Sequence, residues 1–182
     1  MAALLALARA TANAQPEHSV IFLATDAEEQ GLHGAQAFVH APAVELNAII
    51  VNLNIDMIGH GGRRKALYLL NSGSGDRHAG IVNTFINKQV SETLRLYSGR
   101  RLQHRSANSG ASKINWLKAS DHARFHSAGV PFIYAGTLPR PHYHSPDDTA
   151  NNIDRPFFET ASQTLTSLLA TFDNQMCDAA SR

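Results

Sequence analysis

The sequence has little cysteine, no excess of charge of either sign and no long apolar run. The only cysteine, Cys177, cannot form a disulfide within the chain or build a cysteine-based zinc site. The 16 basic residues nearly balance the 15 acidic ones, so no strong field attracts nucleic acid or an anionic membrane. No stretch has the length of a membrane span. We therefore expect neither partner, and we expect residues 1–182 to form a single domain.

The apolar stretch Ala2–Ala14 allows two interpretations. It resembles a secretory signal followed by a cleavage site, but a signal carries positive residues before its apolar run. Here the run begins directly after Met1 and is interrupted by Arg9. Alanine and leucine are strong helix formers, so the stretch favours a helix that ends near Pro16. The compartment of the protein stays unknown.

Apolar runs and helical patterns alternate along the rest of the chain. Residues 19–24 form a continuous apolar run, which is typical of a strand buried on both faces of a mainly parallel sheet. Further strands are predicted at 46–55, 66–70, 101–104 and 132–134, and helices at 31–40, 76–96, from Ser120 onward and at 157–172. This pattern predicts an α/β fold of three layers with sites in the loops at the carboxyl ends of strands.

Two of these loops carry acidic residues. Glu28 and Glu29 follow the first predicted strand, and adjacent carboxylates repel each other unless a cation or water neutralises them. Asp56 ends the second predicted strand, where an isolated carboxylate is costly unless it is paired or binds an ion. A solvated helix N-terminus and a hydrogen-bonded strand end are the structural alternatives.

Two later loops add an acid, a phenol and an imidazole. Ser120 can cap the predicted helix, and Asp121 can orient a neighbouring group. The loop 142–149 brings Tyr143 and His144 together before a proline turn. A histidine-rich solvated loop is the alternative interpretation of this segment.

Five segments together resemble a known motif series. VIFLATDAEEQGLHGA, NLNIDMIG, SDHARF, GVPFIYAG and YHSPDDT occur in the order of the motifs of M28 zinc peptidases and span residues 20–149. The resemblance implies a zinc-exopeptidase-like fold and an aminopeptidase that acts on peptides. It implies that Glu28 is the general base and that Tyr143 stabilises the tetrahedral intermediate. The zinc ligands would be Glu29, Asp56 and His144.

The same resemblance assigns two supporting positions and a metal content. Asp121 would fix the ligands without binding metal, and His122 belongs to the same motif without being a ligand. Zinc accepts carboxylate and imidazole ligands, and the family uses two zinc ions per site. The family's remaining ligands, a His and a bridging Asp, lie upstream of the segment that Ala2–Ala14 resembles. We therefore expect this chain to lack the first strands of the family's sheet and to keep one zinc ion or none.

This expectation has a consequence for assembly. Absent strands would leave a sheet edge and apolar surface uncovered, which predicts self-association or poor solubility.

Two other functions stay open. A glutaminyl cyclase, a zinc acyltransferase, resembles the same peptidases and also places a Glu, an Asp and a His on one zinc ion. A catalytically inactive α/β domain used for binding is the non-enzymatic alternative. The string from Glu28 to Gly34 favours the peptidase, and the joint presence of Glu28, Glu29, Asp56 and His144 argues against a long-standing loss of activity.

Overall fold

The computed structural model describes residues 1–72, 77–88, 91–99, 114–140 and 142–177. The helices are α1 (Ala2–Ala14), α2 (His33–His40), α3 (Arg77–Lys88), α4 (His122–Ser127) and α5 (Arg155–Cys177). The strands are β1 (Asn52–Ile55), β2 (Ala66–Asn71), β3 (Arg95–Ser98) and β4 (Phe132–Gly136). Short 3₁₀ helices lie at Leu46–Ala48, Gly62–Arg64 and Ala150–Asn152. No helix in this part of the chain is long and apolar enough to cross a membrane.

The four strands form one mixed sheet in the order β1-β4-β2-β3. β1 runs parallel to β4 and β2 runs parallel to β3, while β2 and β4 are antiparallel. The prediction of an α/β fold with a mainly parallel sheet is confirmed, because two of the three pairings are parallel. β1 lies at one edge of the sheet, and this position decides where the candidate site forms.

Helices cover both faces of the sheet. One face packs its apolar side chains against α1, α3 and α5, which bury Leu7, Phe85 and Leu165. The other face carries Tyr68, Phe132 and Tyr134 and packs against Trp116. The ring of His122, at the start of α4, packs against Phe132 on this face. Period-two alternation within each strand separates these two sets of side chains. The molecule therefore has three layers, as predicted.

Three strand and helix predictions need correction. Residues 19–24 are not a strand, because no strand of the described part pairs with them. In the predicted strand 46–55, only Asn52–Ile55 pairs with a neighbour, and the residues before it form a 3₁₀ turn. The helix predicted over 76–96 ends at Lys88, and Arg95–Ser98 is a strand instead. The predicted strand at 101–104 and residue 76, where the predicted helix starts, lie outside the described residues.

The other predicted elements are present with shifted ends. α1 has the predicted bounds. α2 begins two residues later than predicted, and α5 extends beyond both predicted ends. Ser120 does not cap α4 with its side chain, because its Oγ accepts a hydrogen bond from Asn54 Nδ2 at 2.9 Å. Asp121 occupies the N-cap position.

Candidate functional site

A tight turn after residues 19–24 places the two adjacent glutamates. Ala27 has a left-handed backbone (φ 50°), and the Glu28 carbonyl accepts hydrogen bonds from the Gly31 and Leu32 N–H groups. The start of α2 packs directly on this turn, because a Cβ at Gly34 would lie 2.6 Å from the Asp26 backbone. Only glycine allows this approach. Glu28 is therefore held half-buried, while Glu29 is exposed.

Asp56 lies at the carboxyl end of β1, as predicted. Its N–H donates to the Ala135 carbonyl at 3.0 Å, which ties it to β4. Met57 has φ 50° and turns the chain away immediately afterwards. Burial raises the pKa of the Asp56 carboxyl above its usual value, although hydrogen bonds from Ser120 and the Met57 backbone act in the opposite direction. Ionising this carboxyl therefore costs free energy, as expected for a carboxylate that is removed from water.

The loop after β4 brings an imidazole to the glutamate pair. His144 Nε2 lies 2.9 Å from Glu29 Oε1, across a sequence separation of 115 residues. His144 has φ 58°, and the Tyr143 ring stacks on its imidazole with centroids 3.8 Å apart. Burial, and then the charges of Glu29, Asp56 and Glu28, raise the pKa of Tyr143. Both loop residues therefore lie beside the acidic side chains.

Glu28 has the most altered acidity of these groups. Its pKa is raised from 4.5 to about 7, first by burial and then by three neighbouring carboxylates. These belong to Asp56, Glu29 and Asp121, and the nearby His144 acts in the opposite direction. A carboxyl with a pKa near 7 can accept and release a proton at neutral pH.

Asp121, just before α4, contacts the segment that leads into the glutamate pair. Its Oδ2 accepts a hydrogen bond from Thr25 Oγ1 at 2.5 Å, which joins α4 to the segment that leads into the glutamate pair. Its Oδ1 is buried without a hydrogen-bond partner among the described residues. A buried carboxylate oxygen of this kind is available to orient a neighbouring donor.

His122 lies inside the protein and away from the acidic side chains. It is fully buried, and its Nε2–H donates to the Trp116 carbonyl at 2.9 Å. Burial lowers the pKa of this imidazole to about 4. Asn54 Nδ2 lies 3.5 Å from His122 Nδ1 and also donates to Ser120 Oγ. His122 therefore serves the packing of α4 on the sheet.

Two residues that position the site were not singled out in the sequence. Thr25 directly follows the apolar run 19–24 and Asn54 lies within β1, and each joins its segment to the start of α4. A polar side chain inside a buried run needs a partner, and that requirement was the available signal. Which partner it would find depends on the tertiary packing.

The chemistry of the donors suits zinc. Glu29 and Asp56 offer carboxylate oxygen and His144 offers an imidazole, which are zinc ligands. Burial and neighbouring carboxylates raise the pKa values of Glu28 and Asp56, and a bound cation would act in the opposite direction. In the part of the chain that the structure describes, no three His, Cys, Asp or Glu side chains are close enough together to hold a metal ion. The structure brings Glu29 and His144 into contact, with Asp56 nearby.

Comparisons with known proteins agree with this fold. Peptidase family M28 matches residues 1–169. The aminopeptidase YwaD of Bacillus subtilis (strain 168) is 26% identical over 170 residues, which are 90% of this chain and 34% of that protein.

Solved structures of aminopeptidases share the fold of this chain. A zinc aminopeptidase from Bacillus subtilis, BSAP, superposes with a TM-score of 0.69 and 25% identity over 92% of this chain and 39% of its own. The aminopeptidase of Aneurinibacillus sp. strain AM-1, at 22% identity, has the same fold with a TM-score of 0.69 over 92% of this chain and 37% of its own. This chain thus spans between a third and two fifths of the length of these relatives. Its match over residues 1–169 shows that it belongs to peptidase family M28.

Proposed function

We propose that this chain carries the proton-transfer and metal-holding residues of a zinc-dependent aminopeptidase. The observation that carries the proposal is the Glu28 carboxyl, whose pKa is about 7, beside the contact of Glu29 with His144. Membership of a peptidase family and relatives named as aminopeptidases support a peptidase activity. Because this chain spans only part of those relatives, the activity of the whole protein is part of the proposal.

Each side chain has a distinct task in this proposal. Glu28 accepts a proton from the attacking water and passes it to the leaving amine. Tyr143 donates a hydrogen bond to the developing oxyanion. Glu29, Asp56 and His144 would hold zinc, which would supply polarisation of the scissile carbonyl and acidification of water. The substrate is a peptide with a free N-terminus.

The metal content of the purified chain tests this assignment. We expect zinc to remain with the unmodified chain after desalting, to remain with Glu28→Gln and to fall severalfold in His144→Ala. Elemental analysis gives the ratio of zinc to chain. His142→Ala is the matched control, since His142 lies two residues away in the same exposed loop.

Hydrolysis separates the base from the ligands. In protein that cleaves leucine p-nitroanilide, we expect Glu28→Gln to lower kcat at least a hundredfold at unchanged zinc content. Equal zinc loss in Glu28→Gln and His144→Ala would show that the roles are wrongly assigned. An unmodified chain that retains no zinc would refute the metal-holding part of the proposal.

A further inference from the structure

Tyr134 carries a buried hydroxyl that has no hydrogen-bond partner. The residue lies in the middle of β4, between β1 and β2, and is 1% exposed. Its Oη is buried and makes no hydrogen bond in the part of the chain that the structure describes. A buried polar group without a partner costs free energy, so its presence needs an explanation. None of the tasks proposed above uses this hydroxyl.

Gly136 leaves the space that the Tyr134 phenol occupies. Residues two positions apart on a strand lie on the same face, so the phenol extends along β4 over Gly136. A Cβ at Gly136 would overlap the Tyr134 hydroxyl and would lie 2.7 Å from the Asp56 carbonyl oxygen. The hydroxyl and the end of β1 therefore flank the same point. The phenol thus reaches toward the carboxyl end of β4, where the candidate site lies.

The register of β1 and β4 places the Asp56 side chain on the same face as this phenol. Asn54 pairs with Tyr134 in the parallel register of the two strands. Asp56 follows Asn54 by two residues, so it lies on the same face, at the level of Gly136. Ser120 supports this placement, because it accepts a hydrogen bond from Asn54 and donates one to Asp56. The Asp56 carboxyl and the Tyr134 hydroxyl therefore share one face of the sheet.

The charges around Tyr134 indicate which kind of partner suits its hydroxyl. Burial raises the pKa of this hydroxyl well above its usual value, and the negative charges of Asp56, Tyr143 and Glu28 act in the same direction. The hydroxyl therefore keeps its proton at neutral pH and is able to donate it to a hydrogen bond. A carboxylate accepts a stronger hydrogen bond than a neutral group does. Of the three charges, that of Asp56 acts most strongly on Tyr134.

The two aromatic neighbours of Tyr134 do not compete for its hydroxyl. The rings of Trp116 and His122 lie against the Tyr134 ring, with centroids 6.0 and 5.1 Å away. The indole nitrogen of Trp116 is a donor and cannot accept a hydrogen bond. His122 uses Nε2 for the Trp116 carbonyl, and its Nδ1 lies 3.5 Å from the Asn54 amide. The Tyr134 hydroxyl thus stays available for a partner at the candidate site.

We propose that Tyr134 is a positioning residue, whose hydroxyl donates a hydrogen bond to the Asp56 carboxylate when this carboxylate holds zinc. The inference rests on the proposed function, because it takes Asp56 as a metal ligand. A hydrogen bond from a neighbouring donor orients a metal ligand, and its loss lowers metal affinity. Without the metal, the hydroxyl has no partner and lowers the stability of the fold. One hydroxyl therefore has opposite effects on folding and on metal binding.

Tyr134→Phe tests both effects, because it removes the hydroxyl and keeps the ring. We expect the metal-free variant to melt about 2–4 °C higher than the unmodified chain, since a buried hydroxyl without a partner is gone. We expect its zinc affinity, measured by competition with a chromophoric chelator, to fall about tenfold or more. A hydroxyl with a merely structural role would lower the Tm of the metal-free protein and leave the zinc affinity unchanged.

Tyr97→Phe is the matched control. Tyr97 packs on the same face of the sheet as Tyr134, but it belongs to β3, the strand farthest from β1 and Asp56. The same atom is removed in both variants, and only the distance from the candidate site differs. We expect Tyr97→Phe to bind zinc as tightly as the unmodified chain.

Equal zinc affinity of Tyr134→Phe and the unmodified chain would overturn the inference and leave the zinc site in place. A metal-free Tyr134→Phe that melts no higher than the unmodified chain would also overturn it, because the hydroxyl would then have a partner without zinc. An equal loss of affinity in Tyr97→Phe would show that zinc binding depends on the packing of this face and not on the Tyr134 hydroxyl. An unmodified chain that binds no zinc would instead refute the proposed function, and this inference with it.

Discussion

The surroundings of Glu28 favour the neutral form of its side chain. Its raised pKa means that the folded state holds a proton on Glu28 between about pH 4.5 and 7, where the unfolded state has released it. The folded state therefore binds more protons than the unfolded state in this range, and stability falls as the pH rises. Below about pH 4.5 both states are protonated, and the penalty disappears.

Replacing this carboxyl with an amide should remove the penalty. We expect Glu28→Gln to raise the Tm of the metal-free protein at pH 8 and to leave it unchanged at pH 4. Because Glu28 is only partly buried, solvent screening limits the gain to about 1 kcal/mol, or about 2–4 °C. Calorimetry in the presence of a chelator measures both values.

Glu45→Gln provides the control, since Glu45 is exposed. A gain from Glu28→Gln that is equal at both pH values would show that the charge of Glu28 is not the cause.

The sequence singled out five side chains that the structure places near one another, but not the residues that support them. The resemblance to the M28 motifs selected these side chains, which are Glu28, Glu29, Asp56, Tyr143 and His144. Their roles remain predictions. The capping role expected for Ser120 was wrong. Its side chain makes no cap hydrogen bond, and its hydroxyl accepts one from the Asn54 amide instead. That competition depends on how β1 and α4 pack, which local sequence does not encode.

At the scale of elements, one side chain of α5 fixes the segment that follows α1. Asp173 accepts hydrogen bonds at 2.9 Å from the Glu17 and His18 N–H groups, and the His18 ring lies 2.9 Å from the same carboxylate. Burial alone would raise the pKa of Asp173, but these hydrogen bonds lower it below its usual value. The contact sets where residues 19–24 begin.

Loss of this carboxylate should loosen the N-terminal part of the fold. We expect Asp173→Ala to lower the free energy of unfolding by about 1–2 kcal/mol, because several hydrogen bonds to a charged acceptor are lost. Asp173→Asn should lose less, since its amide oxygen still accepts. Urea denaturation of the three proteins gives the comparison, and equal stability of all three would contradict this role.

The strands that pair with another described strand were predicted correctly at β2 and β4, whereas the strand predicted at residues 19–24 was wrong. β2 and β4 are buried between two helix layers, so their apolar runs indicated strands correctly. Residues 19–24 are similarly apolar, yet they pair with no described strand. Composition indicates that a segment can be a strand, whereas hydrogen bonding to a neighbour decides whether it is one.

For the whole molecule, zinc should act as a ligand of the folded state. Glu29, Asp56 and His144 lie on three separate segments, so a metal ion bound to them would favour the state that brings the segments together. At a zinc concentration a hundredfold above Kd, we expect about 2.7 kcal/mol of stabilisation and a Tm rise of several degrees.

Thermal melts with zinc, and with magnesium as the control cation, measure this effect. His144→Ala should abolish the rise, and His142→Ala should preserve it. A similar rise with His144→Ala would place the bound zinc elsewhere on the protein.

The contact between Glu29 and His144 also bears on the order of folding. Its residues are separated by 115 positions, so the entropy of closing a long loop must be overcome before the two side chains meet. α4 and the hydrogen bond between His122 and Trp116 require only local contacts and can form earlier. During refolding, helical signal should therefore return before metal affinity does. A chain that recovers its helix content without its metal affinity has folded locally but has not closed the loop between Glu29 and His144.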